Sequence, residues 1–160
     1  MKPVTDNAFL LRDAAPGDAD QLTDLFLRSR TVAMPWLVSP RDEASTRWWV
    51  EHVLLAGQRV RLAHHRDRLR GFAAVDGRWL EQVYVDPADQ GQGVGRVLLE
   101  DAKRVSPGGL SLHVFSRNEH ARRFYEAAGF VLVEQSDGSG NEELEPDRTY
   151  TWAPDNRPAS

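Results

Sequence analysis

The sequence predicts a single α/β (α+β) domain in which helices flank a mixed sheet. The chain has 160 residues, a length typical of one domain. Hydrophobic residues make up 41% and charged residues 28% of it, so it can bury a core and is not a disordered chain. Strand and helix patterns follow one another in the order β-α-α-β-β-β-α-β-α-β-β. We expect an N-terminal extension at 1–8, the domain at 9–153 and a flexible tail at 154–160.

The composition excludes several classes of protein. The formal net charge is −4, which disfavours nucleic acid as a partner. The chain has no cysteine, so disulfides, thiolate metal sites and a cysteine nucleophile are excluded. No stretch approaches the roughly 18 apolar residues of a spanning helix. We therefore expect a cytoplasmic protein with no membrane partner. His64 and His65 face opposite ways in a strand, and we expect no metal site.

The first half of the chain predicts two helices and four strands. Asp18 followed by Gln21 has the pattern of a capping box at the start of the first helix. A hairpin is indicated by Asp76 and Gly77, and Pro87 ends the strand before it. The predicted strands are 9–12, 59–65, 69–75 and 78–85. One predicted helix begins at residue 18, and the other spans 41–55.

The second half predicts two more helices and three strands. Apolar residues at helical spacing indicate a helix at 94–105 and another around Phe124, which Gly129 ends. The polar segment 136–146 is long enough to be functional or disordered. The predicted strands are 110–115, 130–134 and 148–152.

A glycine-rich turn joins the strand at 78–85 to the helix at 94–105. Gly91, Gly93 and Gly95 let backbone N–H groups approach one anion, and the helix N-terminus adds its unpaired donors. The expected ligand is a phosphate or pyrophosphate. Arg96 stands where a dinucleotide fingerprint needs its third glycine, and no Gly-Lys-Ser/Thr occurs, so Rossmann and Walker-type loops are disfavoured. A tight turn without a ligand is the alternative.

Three motifs together resemble one known family. Residues 90–95, QGQGVG, resemble the Q/R-x-x-G-x-G/A acyl-CoA loop of the GNAT superfamily of N-acetyltransferases. Residues 80–85 resemble the strand before that loop, and 118–130 resemble the N-x-x-A-x-x-F-Y-x-x-x-G-F signature. The resemblance covers about 9–152. It implies a GNAT-type, mostly antiparallel sheet with splayed central strands. It also implies acetyl transfer from acetyl-CoA to a primary amine of a small molecule or peptide, by direct attack in a ternary complex.

The resemblance also implies which residues hold the cosubstrate. The backbone of Val83 and Val85 would bind the pantetheine arm, and loop amides would bind the pyrophosphate. Asn118 would contact the arm, although it is equally a candidate helix cap. Ser116 with Glu119 offers a rival capping box that would start the helix earlier. The expected cofactor-binding residues are Val83, Tyr84, Val85, Gln90, Gly91, Gln92, Gly93, Val94, Gly95, Arg96, Asn118 and Phe124.

Two residues are expected to move protons. Tyr125 matches the family tyrosine that protonates the leaving thiolate, and a core aromatic is the alternative. A free alkylamine has a pKa near 10, so the acceptor must lose a proton. Glu81 is the expected base because, at alternate spacing, it shares a face with Val83 and Val85. Asp147, Glu142, Glu143 and His113 are the alternatives.

The acceptor side is expected at the segment 136–146. Its carboxylates, with Asp147 just after it, would attract a cationic amine, and a solvated acidic loop is the alternative. Trp36, Trp48 and Trp49 are expected to form an apolar wall opposite, although indoles at these positions also suit a core. The expected substrate-binding residues are Trp36, Glu142, Glu143 and Asp147.

A non-catalytic acyl-CoA-binding protein is a second hypothesis for the function. An RNA-directed acetyltransferase toxin is disfavoured by the acidic net charge. A homodimer is possible.

Overall fold

The computed structural model describes residues 9–38 and 42–154, and their elements follow the predicted order. The expected extension at 1–8, residues 155–160 of the expected tail, and Arg41 at the expected start of the second helix lie outside the described residues. The strands are β1 Leu10–Asp13, β2 Arg59–His65, β3 Arg68–Asp76, β4 Trp79–Val85, β5 Leu110–Phe115, β6 Val131–Ser136 and β7 Asp147–Trp152. The helices are α1 Ala19–Ala33, α2 Glu43–Trp49 with a π-helical continuation Val50–Leu54 and a last turn Leu55–Gly57, α3 Val94–Val105 and α4 Glu119–Ala127.

The seven strands form one sheet in the order β1-β2-β3-β4-β5-β7-β6. All neighbouring pairs are antiparallel except β4 and β5, which are parallel. In the described chain these two strands are joined at a single registered pair, Trp79 with Ser111, at their N-terminal ends. The strands therefore splay toward their C-terminal ends. The predicted mixed, mostly antiparallel sheet with splayed central strands is confirmed.

A separate core packs on each face of the sheet. Leu22, Leu25 and Phe26 of α1 pack with α2 on one face. Leu98 and Ala102 of α3, together with residues of α4, pack on the other. Because side chains alternate along β3 and β4, both strands contribute to both cores. The core beneath α3 and α4 also contains residues of β5 and β7, so one packed layer spans both sides of the splay.

The helix termini confirm one capping prediction and correct another. The Oδ1 of Asn118 accepts from the Ala121 N–H at 3.2 Å and caps α4. The side chain of Asp18 makes no capping hydrogen bond to α1. It pairs instead with Arg12 at 2.8 Å and accepts from the Ala15 N–H at 2.8 Å. The Asp18 capping-box prediction was wrong because a cation on β1 competes for the carboxylate.

Buried ion pairs fix the C-terminal end of β4. Asp86 and Asp89 are 5% and 2% exposed. Arg28 of α1 lies 2.6 Å from the Asp86 carboxylate, and Arg68 and Arg70 of β3 lie 2.8 Å and 2.6 Å from that of Asp89. Buried carboxylates need such partners because their desolvation is costly. The network ties α1, β3 and the turn after β4 together just before the glycine-rich loop.

The pairing of Asp86 predicts how stability depends on pH. Burial would raise the pKa of Asp86, but the Ala88 N–H and the Arg28 guanidinium together bring it below its usual value. A lowered folded-state pKa stabilises the fold above the unfolded-state pKa and loses that contribution as pH falls through the folded-state pKa. Asp86→Asn should therefore lower the unfolding free energy most at neutral pH, with the deficit shrinking below about pH 4. Urea denaturation between pH 3 and 7 measures this.

The control for this measurement is Asp24→Asn, which removes an exposed charge from α1. At neutral pH it should cost less stability than Asp86→Asn. A deficit for Asp86→Asn that stays constant from pH 7 to pH 3 would contradict the assignment.

Candidate active site

The splay between β4 and β5 opens into a cavity of about 800 Å³. Its wall contains Glu81 and Tyr125, the two residues predicted to move protons. Of the predicted cofactor-binding residues, Gln92 is not part of this wall. The others line it: Val83, Tyr84, Val85, Gln90, Gly91, Gly93, Val94, Gly95, Arg96, Asn118 and Phe124. The strand, the loop and α4 therefore converge on one space.

The open edge of β4 presents main-chain groups to this cavity. The Asp86 N–H donates to the Arg70 carbonyl of β3 at 2.7 Å. Because N–H groups alternate sides along a strand, those of Val83 and Val85 point away from β3 and toward the gap. The Val85 carbonyl already accepts from Ser29 Oγ at 3.0 Å. The amides of this strand are thus placed to donate to a ligand in the gap.

The glycine-rich loop at the wide end of the gap has the geometry expected of an anion cradle. Gly91 and Gly93 have φ angles of +80° and +88°, a region that disfavours any residue with a Cβ. Gly93 is the N-cap of α3, with no side-chain capping bond and no acidic residue in the first turn. A Cβ on Gly95 would lie 3.3 Å from the Phe124 ring, so α3 and α4 approach closely there. The free amides and helix dipole fit a pyrophosphate.

Tyr125 lies on the inner side of α4. Its ring contacts those of Phe124 and Phe130, with centroids 5.2 Å and 5.7 Å away. Burial raises the pKa of its hydroxyl, and the nearby phenol of Tyr84 raises it further. The hydroxyl therefore stays protonated at physiological pH and is available as a donor.

The position of Glu81 corrects the spacing argument that selected it. β3 and β4 shift register, so Ala74 pairs with Gln82 and Val75 with Leu80. Glu81 has no partner on β3 and sits in a bulge, which interrupts the alternation. The residue that shares the core side with Val83 is Leu80. Glu81 nevertheless lines the cavity and is exposed to it.

His113 lies two residues beyond the Trp79–Ser111 pair on β5, as Glu81 does on β4, and both line the cavity. The His113 Nδ1 is 3.0 Å from Thr149 Oγ1, and its ring stacks on Trp79 with centroids 4.7 Å apart. The imidazole is thus held by two contacts across β5. The region where β4 and β5 meet carries both a carboxylate and an imidazole.

Most of the acidic cluster at the acceptor side is already paired. Glu143 lines the cavity and lies 2.9 Å from the Arg30 guanidinium, and Glu145 lies 3.2 Å from that of Arg117. Asp147 accepts from Asn141 Nδ2 at 3.3 Å. Glu142 and Asp147 are not part of the cavity wall. The free negative charge at this end of the cavity is therefore smaller than the sequence suggested.

The three tryptophans do not form the expected wall. Trp36 is not part of the cavity wall, but its ring contacts that of Phe115, which is, with centroids 6.0 Å apart. Trp49 packs on Phe26 in the α1–α2 core. Trp48 is 58% exposed and stacks on His52. The wall prediction was wrong for Trp48 and Trp49, whose helix turns them away from the gap.

Helix α1 contributes residues to the cavity that were not predicted from the sequence. Ser29, Arg30 and Met34 line it beside Tyr84. Phe26, Arg30 and Met34 are spaced by four, which places them on one helix face. The periodicity that identified Phe26 as buried could therefore have predicted the next two positions of the same stripe.

Residues 47–132 match the sequence profile described as the acetyltransferase (GNAT) domain. The chain belongs to the GNAT acetyltransferase family. This match confirms the predictions of the superfamily, the fold class and an acetyl-CoA-dependent acyltransferase domain.

Curated relatives include two proteins of Escherichia coli. The chain is 26% identical to the peptidyl-lysine N-acetyltransferase YiaC over 132 residues, which is 78% of this chain and 85% of that protein. It is 36% identical to the peptidyl-lysine N-acetyltransferase YjaB over 74 residues, 46% of this chain and 50% of that protein. The alignment with YjaB thus spans half of that relative's length.

Solved structures share the whole fold. The solution structure of apo YjaB from Escherichia coli has a TM-score of 0.75 at 25% identity, covering 91% of this chain and 97% of that one. The structure of yncA from Salmonella typhimurium with acetyl-CoA has a TM-score of 0.69 at 22% identity, covering 96% and 98%. The second similarity is one of fold alone.

Residues 9–38 and 42–154 lack two further features. No helix there is long and apolar enough to cross a membrane. In the same residues, no group of three or more His, Asp or Glu side chains is arranged to hold a metal ion.

The anion cradle can be tested at Gly93. Gly93→Glu should abolish detectable binding of CoA, because the substitution strains a positive φ and places a carboxylate in the cradle. Isothermal titration calorimetry measures the affinity, and circular dichroism checks the fold. Gly108→Glu is the matched control, since Gly108 lies in a turn with open space and a permissive φ. Unchanged affinity in a folded Gly93→Glu protein would show that the site is elsewhere.

Proposed function

We propose that the protein transfers an acetyl group from acetyl-CoA to the primary amine of a lysine side chain by direct attack in a ternary complex. The observation that carries this proposal is the convergence of three features on one cavity. These are the unpaired edge of β4, the uncapped glycine-rich turn at α3, and the hydroxyl of Tyr125. Each supplies one requirement of acyl transfer: a donor for the thioester oxygen, an anion site and a proton.

The residues that would hold acetyl-CoA follow from the cavity wall. Loop amides from Gly91 to Arg96 bind the pyrophosphate, and the guanidinium of Arg96 adds positive charge. The N–H groups of Val83 and Val85 bind the arm as an added strand would, and one of them faces the thioester oxygen. Asn118 uses its Oδ1 as the helix cap, which leaves its Nδ2 for the arm. Acetyl-CoA supplies the activated acetyl group.

Proton transfer falls to Tyr125 and Glu81. The raised pKa of Tyr125 keeps the phenol neutral, so that it protonates the departing sulfur. Glu81 lies in the bulge of β4 and accepts the proton of the incoming ammonium, directly or through a water. His113 is the alternative base because it lines the same part of the cavity.

A peptide lysine fits the cavity better than a polyamine does. A polycation needs several free carboxylates, whereas Glu143 and Glu145 are each paired with an arginine. Relatives named peptidyl-lysine N-acetyltransferases support the same choice. The small-molecule amine remains the second candidate, since the cavity volume of about 800 Å³ also admits a compact ligand.

We further propose that the protein is cytoplasmic, that neither nucleic acid nor a membrane is its partner, and that it can form a homodimer.

The role of Tyr125 predicts a specific kinetic defect. Tyr125→Phe should lower kcat by about 10- to 100-fold and change the KM for acetyl-CoA little, because the ring still packs and only the proton donor is lost. Steady-state thiol release measures both constants. The control is Tyr150→Phe, which removes a phenol bonded to Glu126 outside the cavity wall and should lower stability rather than kcat. Equal kcat in Tyr125→Phe and the unaltered protein would reduce Tyr125 to a packing residue.

The acceptor class can be tested with a small set of amines. A lysine-containing peptide blocked at its N-terminus, the same peptide with a free N-terminus and arginine in place of lysine, and spermidine would each be mixed with acetyl-CoA. We expect thiol release and a mass increase of one acetyl group with the first peptide. Acetylation of spermidine or the free N-terminus alone would contradict the lysine assignment. CoA binding without turnover on any amine would favour the non-catalytic hypothesis.

A further inference from the structure

One ion pair crosses the open end of the cavity. Arg30 lies in the last turns of α1, and this helix is attached to the end of β4, where Ser29 Oγ donates to the Val85 carbonyl at 3.0 Å. Glu143 lies in the loop between β6 and β7, and β7 pairs with β5 along its whole length. The Arg30–Glu143 contact of 2.9 Å therefore joins the β4 side of the gap to the β5 side.

The Arg30–Glu143 ion pair is largely shielded from solvent, and an aromatic ring packs against its cation. The side chains of Arg30 and Glu143 are 19% and 15% exposed. The Arg30 guanidinium also lies over the ring of Phe26, 5.4 Å from its centroid. Partly buried pairs of this kind are screened less by salt than surface pairs. Added salt should therefore weaken this contact less than it weakens a surface ion pair.

The loop that carries Glu143 is tied together internally. Asn141 Nδ2 donates to the Glu145 carbonyl at 2.7 Å, and the Glu145 N–H donates to Asn141 Oδ1 at 3.2 Å. Arg117, just after β5, pairs with Glu145 and lies over the Trp36 ring, 4.4 Å from its centroid. The loop is therefore joined to the β5 side, and the contacts that reach across to the α1 side include Arg30–Glu143 and those of Trp36, which follows α1, with Phe115 and Arg117.

The sheet itself does not fix the width of the gap. Within the described residues, β4 and β5 share one registered pair, Trp79 with Ser111, at the narrow end. A small rotation about that pair would change the separation at the wide end by a larger amount. The contacts between α1 and the β6–β7 loop lie at that wide end, where they oppose such a rotation most effectively.

We propose that the Arg30–Glu143 ion pair holds the two sides of the cleft at a fixed separation and so selects unbranched primary amine chains as acceptors. The inference rests on the proposed acetyl transfer to lysine and adds positioning residues to it. Glu143 acts by holding the cleft through Arg30, and not by binding the ammonium of the acceptor. A wider cleft admits bulkier amines and holds a slim chain less well.

A distance measurement tests the positioning role without any acceptor. The chain has no cysteine, so two spin labels can be placed at Asp24→Cys on α1 and Val133→Cys on β6, both exposed. Pulsed electron–electron double resonance should give a narrow distribution of distances between the two labels when the Arg30–Glu143 pair is intact. Glu143→Gln and Arg30→Met should each broaden it and shift it. Glu100→Gln, which removes the exposed partner of Lys103 on α3, is the control and should leave the distribution unchanged. Equal distributions in all four proteins would overturn the proposal.

Kinetics separate positioning from direct binding. With the lysine peptide, both Glu143→Gln and Arg30→Met should raise the acceptor KM by roughly tenfold, and the double variant should be no worse than either. Both variants should also lower the ratio of kcat/KM for the lysine peptide to kcat/KM for the Nε-methyl-lysine peptide. If Glu143 bound the acceptor directly, Arg30→Met would free it and lower KM, which would contradict the proposal. An unaltered protein inactive on the lysine peptide would refute the proposed function, while the spin-label distances would still decide the positioning role.

Discussion

The rest of the site depends on the separation of β4 and β5. Parallel neighbours in a sheet normally satisfy each other's backbone groups along their length. Here, in the part of the chain that the structure describes, the strands have one registered pair, Trp79 with Ser111, and the amides of Val83 and Val85 face a cavity. An unpaired strand edge inside a domain is costly unless a ligand or water completes it. The gap is therefore best understood as a strand position kept open for an extended ligand.

Three features of the structure keep that gap open while the domain stays folded. The core beneath α3 and α4 contains residues of β3 and β4 as well as of β5 and β7, so one packed layer holds both sides of the splay. Buried pairs between Asp89 and two arginines hold the end of β4 to β3. The Arg30–Glu143 contact joins the two sides at the wide end. The shared core thus supports the fold across the gap, while polar contacts at the wide end position the two sides.

Local patterns predicted the element order, the glycine-rich turn and the cap at Asn118 because each depends on residues close in sequence. Three failures involve partners that are distant or on another strand. The bulge at Glu81 arises from the register against β3, which alternation within β4 does not reveal. Asp18 pairs with Arg12 of β1 in place of capping its helix. Arg30 and Glu143 are 113 residues apart, so their contact has no local signal.

The most direct test of this account is a nuclear magnetic resonance titration of the ¹⁵N-labelled protein with CoA. If the gap and the cradle form one site, amide resonances of Val83, Val85, Gly91, Gly93 and Gly95 should shift together with a single affinity. Amides of α2 and β6, which lie away from the cavity wall, should shift little. Shifts confined to α2 or β6, with β4 and the loop unaffected, would contradict the claim that the splayed strands form the cosubstrate site.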